Sequence, residues 1–161
     1  MHTSPLDQPG LGDSGGLNVY VRELAASMAS RGIGCDVYVR RTSREVPEVV
    51  ALGPGVNVIQ IEAGPHGLEK SDLPAVVDAW TRGVAAYVAE RPVEAFHAHY
   101  WLSGVVGHQL KHEFDRPLAV TFHTLGRIKS IAGELESEDR IRSEELVIGC
   151  ADAVFASGSV E

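Results

Sequence analysis

"GLGDSGGLNVYVRELAASMASRG", Gly10–Gly32, opens with four glycines in its first seven residues and then becomes a helix. From Gly16 to Arg31 the apolar residues Leu17, Tyr20, Val21, Leu24, Ala25 and Met28 recur every three or four positions. Arg22, Glu23, Ser27, Ser30 and Arg31 fall on the other side, and Gly32 and Gly34 stop the pattern. That is an amphipathic helix with a glycine loop at its start. A helix start exposes unpaired N–H groups and the positive end of the helix dipole, which favour an anion. Gly15 and Gly16 let that anion approach the backbone closely. The stretch reads as a phosphate cradle in an α/β protein.

Gly10, Gly12 and Gly15 also fit G-x-G-x-x-G, with Asp36 about 20 residues further on, the pattern of a dinucleotide site. The context argues against a nicotinamide cofactor. The residues before Gly10 include Pro5 and Pro9 and cannot make a central strand. Asp36 opens the next β-rich run, whereas a ribose-binding acid closes one. Residues 1–16 therefore read as a loop with no strand to introduce it.

Working outward, "CDVYVRR" (Cys35–Arg41) and "VNVIQIE" (Val56–Glu62) read as strands. Leu73–Glu90 reads as a helix ended by Pro92, Glu94–His99 as a strand, and Leu102–Phe114 as a helix closed by Pro117. Leu118–His123 is another strand, and Ser137–Gly149 a helix with Glu138, Glu144 and Glu145 outward. Asp152–Ser157 is the last strand. Strands alternating with helices imply a Rossmann-like open parallel sheet with helices on both faces. Ligands bind at the carboxyl ends of such strands, where His99-Tyr100-Trp101 and His123-Thr124 fall.

The 161 residues allow one domain with a real core. A net charge of −8 argues against nucleic acid and anionic lipid as partners. No apolar run is long enough to span a membrane, and the first residues do not form a signal peptide. Cys35 and Cys150 stand in no metal or redox spacing and read as buried thiols in a reducing cytoplasm. His97 and His99 share one face of a strand, but no carboxylate or Cys joins them, so no metal is expected there.

"HTSPLDQPGLGDSGGLNVYVREL", "GPHGLEKSDLP", "HAHYWLSGVVG", "VTFHTLGRIK" and "RIRSEELVIGCADAVFASGSVE" occur in that order across nearly the whole chain. Together they resemble the N-terminal, acceptor domain of the family 4 retaining glycosyltransferases, which have the two-domain GT-B fold. The likeness is to the members that move N-acetylglucosamine from UDP to inositol phosphate in mycothiol synthesis, and to those that make sucrose phosphate. The resemblance implies a UDP-sugar donor, a phosphorylated sugar or cyclitol acceptor, and no cofactor or metal held by this domain. The donor-binding second domain has no counterpart here, and the strand expected before "HTSP" is absent. Those two departures raise alternatives: a non-catalytic remnant that binds a sugar phosphate, a homodimer that lends a strand, or a start upstream of Met1.

The resemblance also assigns roles. Gly15 and Gly16 would meet the donor diphosphate. Asn18 would bond an acceptor hydroxyl. Lys70, in a loop before the second helix, Tyr100 and Thr124 would bind the acceptor phosphate, as would an arginine. Arg140 fits that last position better than Arg142, and the alternative for it is a helix ion pair with Glu144 or Glu145. His123 would position the donor sugar. Lys129 lies in a loop expected to be mobile. His97 is read as a core residue or one that supports the site from behind, and Trp101 as a packing residue. Transfer would proceed on one face of the sugar, with the departing phosphate oxygen taking the acceptor's proton.

Overall fold

The computed structural model describes residues 1, 3–7 and 15–156. They gather into two compact units, the first up to Val84 and the second from Ala85 on.

The first unit begins with α1 (Gly16–Ala29), where the apolar periodicity placed it. Three strands follow: β1 (Cys35–Arg40), β2 (Val49–Gly53) and β3 (Val56–Ile61), in the order β1-β3-β2. β1 and β3 are parallel, with Cys35 opposite Val56 and Arg40 opposite Ile61. β2 is antiparallel to β3, so the sheet is mixed where a parallel one was expected. Its residues alternate between exposed and half-buried along a sheet edge, but the sequence there, Val49–Leu52, is a short continuous apolar run with no alternation to read as a strand. The Pro54-Gly55 turn between β2 and β3 was the available signal: proline pre-sets the first corner, and Gly55 takes φ 74° at the second. Val58 and Ile59 are fully buried in this unit.

Lys70–Val76 forms a 3-10 helix and α2 runs Val77–Glu90, from the first unit into the second. The expected single helix from Leu73 is tightened at its start because Pro74 has no N–H to give.

The second unit has a fully parallel sheet, β4 (Phe96–His99), β5 (Leu118–Thr121) and β6 (Ala153–Phe155), in that order. The helices α3 (Trp101–Phe114), α4 (Gly126–Ile131) and α5 (Glu138–Cys150) complete it. α4 corrects the reading of that segment as a mobile loop: Lys129 sits in a helix, paired with Glu134 at 2.5 Å and Glu136 at 3.4 Å. Ser137 caps α5, its hydroxyl accepting from Arg140 N at 3.2 Å. The core joins Leu102, Val106, Leu118, Val120 and Val147, none more than 2% exposed. Both cysteines are half-buried, not buried as expected.

α3 packs closely because of its small residues. A Cβ on Gly107 would lie 2.7 Å from Leu118 Cδ1 and 3.3 Å from Ala98 Cβ. Gly107→Val should therefore cost about 1–3 kcal/mol by overpacking. Gly149→Ala, on open helix surface, should be neutral or stabilising by up to about 1 kcal/mol. Urea denaturation of both variants checks the contrast; equal midpoints would show that α3 does not rely on this approach.

Among the described residues no strand precedes α1, and neither sheet contains one that could. Gly10 and Gly12 lie outside the described residues.

Candidate functional site

β4 and β5 lie side by side with Phe96 opposite Leu118 and His99 opposite Thr121, so their carboxyl ends open together. Just beyond each strand a residue takes positive φ, Tyr100 at 75° after β4 and His123 at 66° after β5. β5 stops at Thr121, two residues short of the expected end, because His123 has left the extended conformation. Non-glycine residues rarely adopt this backbone, and it concentrates at functional sites. Tyr100 N nevertheless donates to Thr121 O at 2.9 Å, which ties the two strand ends together.

Three histidines line this end of the sheet. His97 Nε2 is hydrogen-bonded to the hydroxyl of fully buried Thr121 at 2.9 Å. His99 Nδ1 meets His123 Nε2 at 3.1 Å, so one proton is shared between two ring nitrogens. The His97 and His99 rings are 4.2 Å apart. Burial, with charge on His97 and His123 acting in the same direction, pushes the His99 imidazole down to about 3. His97 is also lowered, by burial first and His123 second. His99 is thus a neutral group that orients His123. No sequence pattern announced the pair, because the two histidines stand on different strands.

Arg140 holds the loop that follows β5. Its Nη2 donates to Thr124 O at 3.0 Å and to Thr124 Oγ1 at 3.3 Å. Its Cζ lies 5.3 Å from the centre of the Tyr100 ring, a cation–π contact. Its Nε donates to Glu144 Oε1 at 2.8 Å, and Nη1 pairs with Glu136 at 2.8 Å. Glu144 is buried, which corrects its outward placement. Its second oxygen accepts from Gly126 N at 2.8 Å at the start of α4. The helix ion pair kept open as the alternative for Arg140 is therefore formed, and the guanidinium reaches Thr124 while held by two carboxylates. Arg142 is exposed. Trp101 is half-buried as the first residue of α3.

The other expected site residues belong to the first unit. Gly15 precedes α1 as its cap with no side-chain capping bond, and a Cβ on Gly15 or Gly16 would meet nothing within 4 Å. Among the described residues nothing closes the helix start, as an anion site requires. Asn18, in the first turn, is only 4% exposed. Its Nδ2 has no hydrogen-bond partner among the described residues. A buried donor left unpaired is costly, and a ligand acceptor would satisfy it. Lys70 is exposed as the first residue of the 3-10 helix.

Residues 15–161 match the family model described as glycosyl transferase 4-like domain. The D-inositol 3-phosphate glycosyltransferase of Xylanimonas cellulosilytica is 44% identical over 165 residues, covering 98% of this chain and 40% of the relative. That of Actinosynnema mirum is 43% identical over 169 residues, covering 100% of this chain and 40% of the relative. Sucrose-phosphate synthase from Thermosynechococcus elongatus superposes with a TM-score of 0.90 at 30% identity, over 95% of this chain and 39% of that one. The α/β architecture is thus that of a GT-B glycosyltransferase. The chain spans about two fifths of the length of the curated relatives it matches. Among the described residues no helix is long and apolar enough to cross a membrane.

Proposed function

The chain belongs to the glycosyl transferase 4-like domain family, and from that premise we propose that it is the acceptor-binding part of a retaining glycosyltransferase. The sugar is N-acetylglucosamine carried on UDP, and the acceptor is a phosphorylated cyclitol of the inositol phosphate type. The observation that carries this reading is the linked group Tyr100–Arg140–Thr124 beside His123 at the carboxyl ends of β4 and β5. A buried guanidinium that bonds the Thr124 hydroxyl and lies over the Tyr100 ring places a charge and two hydroxyl-bearing side chains together, which suits a phosphate monoester. The names of the relatives support the same acceptor chemistry.

In this reading Tyr100 and Thr124 donate to the acceptor phosphate. Arg140 acts mainly by fixing Thr124 and contributes its charge. Lys70 supplies a compact ammonium suited to an acceptor phosphate. Asn18 Nδ2 donates to an acceptor hydroxyl, and the open start of α1 at Gly15-Gly16 faces the donor diphosphate. His123, oriented by His99, bonds a donor-sugar hydroxyl. The leaving phosphate oxygen takes the acceptor's proton, so no protein nucleophile is needed, and catalysis rests on positioning and charge stabilisation.

The superposition on sucrose-phosphate synthase favours a second acceptor, fructose phosphate. Calorimetric titration of the chain with inositol phosphate, fructose phosphate and inorganic phosphate separates the two. Inositol phosphate should bind tightest, and Lys70→Ala should weaken it about tenfold or more, the worth of one charge-assisted bond. Tighter binding of fructose phosphate would move the assignment to the second acceptor. Unchanged affinity in Lys70→Ala would remove Lys70 from the site.

A further inference from the structure

At the opposite end of the second unit's sheet, α3 carries His108 and His112 one helical turn apart, so both rings leave the same face. The last residue of α5, Cys150, reaches that face. His112 Nε2 and Cys150 Sγ are 3.2 Å apart. The two histidine rings stand edge to face with centroids 4.8 Å apart. One donor atom from each of the three residues falls within 4.8 Å of the others. Four-coordinate zinc with nitrogen and sulfur ligands asks for donor atoms about 3.3–3.6 Å apart, so small side-chain rotations close the set.

The surroundings suit a bound ion. His108 Nδ1 is buried without a hydrogen-bond partner among the described residues. Lys111, between the two histidines, donates to Cys150 O at 2.8 Å and to Asp152 Oδ2 at 2.6 Å. Asp152 Oδ2 also accepts from Leu118 N at 2.7 Å. These bonds fix Cys150 against α3 without using any of the three donors. His112 is exposed, which gives an ion its entry. The spacing of the cysteines in the sequence hid this arrangement, because Cys150 lies 38 residues beyond His112.

We propose that His108, His112 and Cys150 form a three-ligand site for a borderline-soft divalent cation, zinc first, with the fourth position open to water. Two imidazoles and a thiolate exclude the hard cations magnesium and calcium. The ion would clip the end of α5 to α3, near where β5 and β6 begin, away from Tyr100 and His123. This inference is independent of the sugar-transfer reading.

Cobalt titration of the purified, reduced chain tests it. A thiolate-to-cobalt charge-transfer band should appear and saturate at one equivalent, and zinc should displace it. Cys150→Ser should abolish the band, Cys35→Ser should keep it, and His108→Ala or His112→Ala should weaken zinc binding about tenfold or more. Circular dichroism of each variant confirms that the chain is folded. No band in the parent chain, or a band that survives in Cys150→Ser, overturns the site.

Discussion

Replacing Arg140 by alanine should destabilise the chain by about 3–5 kcal/mol, the cost of breaking a buried ion pair from one side. Arg140 is 5% exposed and Glu144 3%. Removing the guanidinium leaves the Glu144 carboxylate in the core with Gly126 N as its one remaining hydrogen bond among the described residues. It also frees Thr124 and uncovers the Tyr100 ring. Arg142→Ala, two residues on and exposed, should stay within about 0.5 kcal/mol of the parent. The double variant Arg140→Ala/Glu144→Ala should lose less than the two single losses added together, because the charge left behind by one change is removed by the other. Urea denaturation of the parent, Arg140→Ala, Arg142→Ala, Glu144→Ala and the double variant decides it. If Arg140→Ala unfolds at the same midpoint as Arg142→Ala, the pair does not hold the loop.

The second large effect is with pH. His99 is held neutral in the fold, with its imidazole pushed down to about 3, mostly by burial. In the unfolded chain it titrates near 6.5. Below that pH the unfolded state binds the extra proton and the native state does not, so stability falls as pH falls. His97 acts in the same direction. The slope from His99 alone is about 1.4 kcal/mol per pH unit between the two values. Going from pH 6.5 to about 5 should thus remove about 2 kcal/mol. Protonating both His99 and His123 would also place two donors face to face across their 3.1 Å bond. His99→Gln should flatten the dependence over this range, read from unfolding free energies at each pH. Parallel curves for the two proteins would assign the acid sensitivity elsewhere.

Most of the secondary structure was legible because it rests on apolar periodicity. α1, β1, β3, α3, β5 and α5 lie within a residue or two of where that periodicity put them. β2 escaped because Val49–Leu52 is a four-residue apolar run whose sequence does not show the alternating burial of the strand, and its antiparallel return depends on Pro54-Gly55. α4 is only six residues long, and its start is held by a side chain eighteen residues away, Glu144. The candidate site was half legible. Tyr100, His123 and Thr124 follow the strands whose ends define such sites, so the α/β pattern pointed to them. The burial of Glu144 and the His99–His123 bond came only with the fold. A glutamate in an amphipathic helix reads as solvated, and only an arginine one turn earlier hints otherwise.

The left-handed backbone at Tyr100 and His123 bears on how this domain would respond to selection for heat resistance. Each such residue stores about 1–3 kcal/mol that glycine would release. Positions 100 and 123 are therefore where a search guided by thermal tolerance alone would find easy gains. Those same gains would delete the tyrosine and histidine side chains at the mouth of the sheet. If these side chains act as proposed, robustness and chemistry compete at these two positions.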